Sequence, residues 1–308
     1  MTRRGWLLFG ALGMAWGIPY LFIRVAVVDL DPLLVAVGRT LLGALLLLPL
    51  ALRRHALRPV LARWRWLVAY TVIEIVVPWL LIGHAETRLN SSTTGLLISM
   101  VPIAAAVILT VTGQDRLGCR RVLGLVLGLV GVALVVGLDL DLGDGIAVLQ
   151  LSVVVVGYAT GPIIISRRLG DLPPLGVVTA SLVVATVIYA PFAPLVWPTR
   201  VVSGAAVLSV VVLAVVCTAV AFLLMFALVA EAGPARMTLI TYVNPVVAIV
   251  LGALALGEPL TAGLAAGFPL IIAGSILGTS MSRPAPAEAP VAGESCASPD
   301  PAPDHASD

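Results

Sequence analysis

Lysine is absent from this chain of 308 residues, and charge of either sign is scarce: only 11% of residues are charged, against about a quarter in a soluble domain. Histidine occurs at His55, His84 and His305, none of them in the middle of a long apolar stretch. That excludes the paired His or His-Glu ligands of a metallohydrolase, and a Ser-His-Asp site with them. Cys119, Cys217 and Cys296 have no close spacing, so neither a metal cluster nor a disulfide framework is expected. Gly113-Gln114-Asp115-Arg116 is no phosphate-binding loop, and ATP-driven work by this chain alone is not expected. No motif or basic domain for nucleic acid is present. No cofactor is implied.

What the chain has in abundance is apolar sequence: 60% of residues are hydrophobic and the mean hydropathy is +1.11. A hydrocarbon layer of roughly 30 Å takes about 20 apolar residues per helix. Ten such stretches fall at about 5 to 23, 32 to 52, 67 to 84, 92 to 112, 120 to 137, 145 to 165, 174 to 196, 205 to 230, 237 to 256 and 260 to 280. Barrel strands would be shorter and alternating. The fold class expected is therefore an all-α integral membrane protein with the lipid bilayer as its solvent. The first stretch follows Arg3-Arg4 like a signal peptide, but Trp16 and Pro19 and the repeat described next assign it to the folded unit.

The sequence repeats itself. Asp29-Leu30-Asp31-Pro32-Leu33 returns 142 positions later as Asp171-Leu172-Pro173-Pro174-Leu175. Pro49 pairs with Pro191, Trp16-Gly17 with Thr160-Gly161, Pro102 with Pro245, and Gly124 and Gly131 with Gly267 and Gly274, at offsets of 142 to 144. This predicts one five-helix repeat over residues 1–137 and a second over 138–281, followed by a Pro-, Ala- and Ser-rich acidic tail over 282–308 that cannot bury enough surface to fold. Cytoplasmic loops carry excess Arg. With the N-terminus inside, 14 of the 18 arginines fall on the inner face, three outside (Arg24, Arg88, Arg200), and Arg39 lies within the second stretch. Both termini are then cytoplasmic, in a multi-pass protein of the cell membrane. Five is odd, so the second copy inserts upside down, the inverted repeat of an alternating-access carrier with its site near the midplane.

Gly-Met-Ala-Trp-Gly at 13 to 17, Val-Gly-Arg-Thr-Leu-Leu-Gly-Ala at 37 to 44, Tyr-Val-Asn-Pro at 242 to 245 and Gly-Glu-Pro-Leu at 257 to 260 together resemble the EamA-type drug/metabolite transporters over about residues 6 to 280. Where that family carries Gly-Glu after the fourth helix of each half, the second half has Gly257-Glu258 and the first has Gly113-Gln114. The resemblance implies export or exchange of small metabolites, amino acids being the commonest suggestion.

Ionisable groups inside a membrane are costly and mark function by default. Arg39, seven residues past Pro32, sits about 10 Å below the outer surface. It could hold a substrate carboxylate in a bidentate grip, snorkel to the interface, or clamp two helices, the last being the favoured reading. Glu74 lies roughly 12 Å in from the cytoplasmic side among Thr71-Val72-Ile73 and Ile75-Val76-Val77. Three readings stay open for it: a carboxylate that carries a coupling proton, the ion-pair partner of Arg39, or a neutral hydrogen-bonded acid.

Prolines locate the cavity. Pro102 and Pro245 fall at corresponding depths in stretches four and nine, with Pro78 near the same level; each removes a helix hydrogen bond and frees a carbonyl. Ser99 precedes Pro102, Tyr242 and Asn244 precede Pro245, and Trp79 follows Pro78. With Trp16 these are the candidate substrate-binding residues. Trp6, Trp64, Trp66 and Trp197 sit at stretch ends and fit an interfacial belt. Gly124-xxx-Gly128 and Gly263-xxx-Gly267 predict close helix packing, within the chain or at a homodimer contact. His84, Glu86 and Arg88 read as a short solvated polar loop outside the site. The leading function is a secondary carrier for a small-molecule substrate; a non-transporting membrane sensor or assembly subunit is the alternative.

Overall fold

The computed structural model describes residues 2–113, 119–139, 142–232 and 240–279. Gln114, Asp115 and Arg116, Asp141, Arg236, Arg283, Cys296 and the expected tail lie outside the described residues. Those described form helices joined by short turns, with no strand among them: α1 (Arg3–Ala26), α2 (Pro32–Arg53), α3 (Trp64–Glu86), α4 (Ser91–Val111), α5 (Cys119–Asp139), α6 (Gly145–Leu169), α7 (Pro174–Val196), α8 (Gly204–Ala232), α9 (Ile240–Leu256) and α10 (Ala262–Thr279). A short helix, Leu57–Leu61, links α2 and α3. By length and apolarity α1 to α8 can each cross a membrane, and α9 and α10 are shorter apolar helices.

Many of these segments are rich in β-branched residues, as in Gly145–Ile164 with its run Val153 to Val156. In water such a run favours strands; in hydrocarbon only a helix satisfies every backbone group within one segment. The outward faces carry large apolar side chains, with Val111 and Leu254 each 81% exposed, a surface that suits lipid and not water. Trp6, Trp64, Trp66 and Trp197 are exposed at helix ends.

Polar residues mark where helices begin. Asp31 Oδ1 accepts from Leu33 N ahead of α2, with Pro32 at its first position, and Asn90 Oδ1 accepts from Thr93 N ahead of α4. Ser203 Oγ does the same for Ala206 N at α8 and Thr261 Oγ1 for Leu264 N at α10. Each meets one of the orphan donors of a helix start.

The major packing pairs follow a rule. If each helix is exchanged for the one five places on, α1–α9 becomes α6–α4, α1–α8 becomes α6–α3, α2–α8 becomes α7–α3, and α2–α7, α4–α9 and α5–α10 map onto themselves; all of these pairs are in contact. The α5–α10 seam is the closest. A Cβ on Gly267 would stand 2.6 Å from Gly131 O, and one on Gly274 would stand 2.6 Å from both Gly124 O and Gly128 N. The Gly-xxx-Gly spacing is thus used inside the chain, letting two backbones touch.

The prolines behave less uniformly than the repeat predicts. α4 breaks at Ser99 and Met100 and resumes with Pro102 in its first turn, whereas Pro245 sits within an unbroken α9. α1 bends at Ile18, ahead of Pro19. Among the described residues three helices contain π-helical turns: Val72–Val76 in α3, Ile165–Leu169 in α6 and Val215–Val220 in α8. The first and last begin 143 residues apart, at Val72 and Val215.

Candidate functional site

A π-turn leaves backbone carbonyls without their usual partner, and such turns gather at functional sites. Here two of them are held by polar side chains arriving from a neighbouring helix. At the α8 turn, the Thr218 hydroxyl donates to Leu213 O at 2.8 Å, five residues back, which leaves its oxygen free to accept. Arg39, coming from α2, donates Nε to Thr218 Oγ1 at 2.9 Å and Nη2 to Cys217 O at 3.4 Å. At the α3 turn, Tyr189 of α7 donates its hydroxyl to Val76 O at 2.6 Å and Ile75 O at 3.4 Å. Because α2 exchanges with α7 and α3 with α8, the two clamps join corresponding pairs of helices, although Tyr189 lies eight residues past Ser181, the position equivalent to Arg39.

Arg39 is buried, 8% exposed. Its guanidinium lies 3.6 Å from the centroid of the Trp79 ring, a cation–π contact strengthened where water is excluded. Arg39 therefore joins α2, α3 and α8 as a clamp, and it does not snorkel. Among the described residues the ion pairs are Arg4–Glu231 and Arg63–Asp171. Glu74 is not the counter-ion of Arg39, and that pairing is set aside.

Glu74 projects from the α3 π-turn toward α6, where Gly161 makes room for it: any Cβ there would collide with its carboxyl group. Its Oε2 is shielded and has no hydrogen-bond partner.

The other candidates form two further groups. Ser99 Oγ donates back to Leu96 O at 2.6 Å, Ser275 Oγ donates to Ser99 O at 3.1 Å, and Tyr242 OH donates to Ser275 O at 3.1 Å. Ser99 and Tyr242 are thus drawn into one chain tying α4, α10 and α9 beside the break at Pro102. Trp16 packs edge-on against Phe222 at 6.4 Å, next to Gly17, which meets Val247 and the Asn244 carbonyl. Asn244 Oδ1 is buried without a partner and Pro245 is buried. Two shallow grooves, one lined by Val246, Ile249 and Phe268 and the other by Leu97, Leu151 and Val155, include none of the candidates.

Two acids matter that the site reading passed over. Glu258 Oε1 accepts from Ser91 N and Ser91 Oγ at 2.8 and 2.9 Å, and Oε2 from Ser92 N and Ser92 Oγ at 3.0 and 2.5 Å. It plugs the N-terminus of α4 from the α9–α10 turn, where Gly257 adopts a φ of 64°; Gly113 has a φ of 72° at the equivalent turn after α4. Glu86, read as solvated, is instead 0% exposed, with neither carboxyl oxygen hydrogen-bonded. His84 and Arg88 are exposed as expected, but Glu86 is turned inward, and Arg24 of α1 donates to its backbone carbonyl.

On the opposite side, Arg63 grips Asp171 through two hydrogen bonds of 2.5 and 2.7 Å and holds its carboxyl below the usual range.

The sequence matches the model of the EamA-like transporter family twice, over residues 3–137 and 145–280. It is 27% identical to the uncharacterized transporter YvbV of Bacillus subtilis across 90% of this chain and 92% of that one. It is 22% identical to an uncharacterized transporter of Archaeoglobus fulgidus across 87% of this chain and 96% of that one. A solved crystal structure at 19% identity superposes with a TM-score of 0.65, covering 91% of this chain and 98% of its own; at that identity the likeness is one of fold.

Proposed function

The chain belongs to the EamA-like transporter family, and from that premise we propose that it is a secondary carrier exporting small carboxylate-bearing metabolites, amino acids or related compounds, across the cell membrane. The reading has both termini in the cytoplasm and two inverted five-helix repeats that rock about a central site. The arginine distribution supports the orientation, and the exchange rule in the helix contacts supports the repeat.

The observation that carries the substrate class is Arg39. Its guanidinium sits deep in an apolar bundle, bonded to a neutral hydroxyl and a carbonyl and paired with no carboxylate among the described residues. A fixed cation in such surroundings is costly unless an anion approaches it. A substrate carboxylate can displace the long 3.4 Å bond to Cys217 O and take two guanidinium N–H groups at once, while Trp79 walls the site. Glu74 then serves as the group that binds a proton in one orientation and releases it in the other.

The test is the extracellular metabolite profile of cells expressing the chain, compared with Arg39→Ala and Arg39→Lys at equal membrane abundance. A carboxylate-bearing metabolite accumulates outside with the intact chain and fails to do so with either variant, because lysine keeps the charge and loses the planar fork. Equal export by Arg39→Ala assigns Arg39 to structure alone. No change outside with the intact chain removes export and favours uptake or sensing.

A further inference from the structure

We propose that Glu86 is a second proton-binding site, separate from Glu74, whose proton must be taken up for the end of the molecule around the α9–α10 turn to close as it is here. Glu86 is the last residue of α3, twelve positions beyond Glu74 and thus about 18 Å away along the helix. It has no exposed surface, and both carboxyl oxygens lack a hydrogen-bond partner. An ionised carboxylate in that state has lost its water and gained nothing in return; a protonated one fits.

No cation pairs with its carboxyl group. Arg24 of α1 donates Nη1 at 2.5 Å to the backbone carbonyl of Glu86, and neither ion pair among the described residues includes Glu86. Tyr20, also on α1, and Glu258, from the α9–α10 turn, are the other titratable groups that act on it. The Glu258 oxygens are committed to Ser91 and Ser92. His84 on its own helix and Arg88 in the turn after it are exposed. A metal ion would need a cage of several oxygens, and no group of three acidic, His or Cys side chains exists among the described residues. The ligand is therefore a proton. When α1, α4 and the α9–α10 turn part, the acid meets water and one H⁺ leaves, giving the carboxylate; closure returns it.

The inference goes beyond the transport reading and stands or falls without it, since the proton itself is observable. Infrared spectra of the purified full chain at neutral pH show the C=O stretch of protonated carboxylic acid. Glu86→Gln removes one component; in Glu74→Gln a component assigned to Glu86 persists. Absence of any acid band in Glu74→Gln overturns the proposal, including the case in which Glu86→Gln does not fold. Hydrogen exchange of the segments 86–92 and 257–261, corrected for intrinsic rates, rises with pH in the wild type as Glu86 deprotonates and stays low and flat in Glu86→Gln, a permanent neutral mimic. Exchange in Glu86→Gln that follows pH as in the wild type refutes the link to closure.

Discussion

Glu258→Gln tests the plug at the start of α4 with almost no change of shape. The carboxylate accepts four hydrogen bonds, two from backbone N–H groups and two from hydroxyls, at a helix N-terminus that favours negative charge. The amide oxygen of Gln can keep the pair from Ser91. Its NH2 must then face Ser92 N, donor against donor. The Ser92 hydroxyl can turn to accept, whereas the N–H cannot. Leaving one such N–H unmet costs about 1–3 kcal/mol, and losing the charge at the helix end adds roughly 0.3–1 kcal/mol. Residue 258 is half-buried and water recovers part of this, so the expected loss is about 2 kcal/mol. For a chain of this size that lowers Tm by roughly 4 °C, read from thermal unfolding of the detergent-purified protein. Ser92→Ala, made alone and together with Glu258→Gln, should prove non-additive because both touch the same bond. A Tm within about 1 °C of wild type for Glu258→Gln, or strict additivity in the double variant, would refute the reasoning.

Gly274→Ala places a Cβ 2.6 Å from Gly124 O and Gly128 N; both are backbone, so the helices must separate, at about 1–3 kcal/mol, and unfolding shifts to lower temperature. Gly10→Ala is the control: nothing lies within 4 Å of its Cβ, and thermal stability holds or rises through the roughly 1 kcal/mol gain in helix propensity. Asp171→Asn removes the Arg63 grip. Because folding lowers the Asp171 pKa, the carboxylate's contribution is present above the unfolded value of about 3.9 and lost as pH falls through the lower folded value. Unfolding temperatures of variant and wild type should therefore differ at neutral pH and converge in acid; a gap that persists in strong acid means the pair does not act through charge.

Helix positions were legible because a membrane span needs length and apolarity and little else, and Pro32 marks the start of α2 locally. The Arg39 clamp was legible as an option, since a buried cation in α2 must bond to something; that its partner is a π-turn in α8 was not, because Thr218 and Cys217 are 179 and 178 residues away. Glu258 was visible only as a family motif: its receptors, Ser91 and Ser92, carry no mark beyond following Asn90. Glu86 shows how local pattern misleads. Its neighbours at two positions on either side, His84 and Arg88, are polar and exposed, but on a helix residues two apart point in different directions, and burial of the opposite face depends on helices distant in sequence.

The two halves share a scaffold but divide its chemistry unequally. Arg39 corresponds to Ser181 at an offset of 142, and Glu74 to Cys217 at 143. Both charges come from the first half, while the second supplies neutral partners: Thr218, Cys217 O and Tyr189 as clamps, Gly161 as space. Symmetry itself gives a reason. α2 packs directly on α7, so an arginine at 181 would bring a second cation to the helix pair that already buries Arg39, where like charges are repelled with little screening. Keeping the two ionisable groups in separate sets of contacts is what the proposed roles need, with Arg39 offered to a carboxylate and Glu74 to a proton.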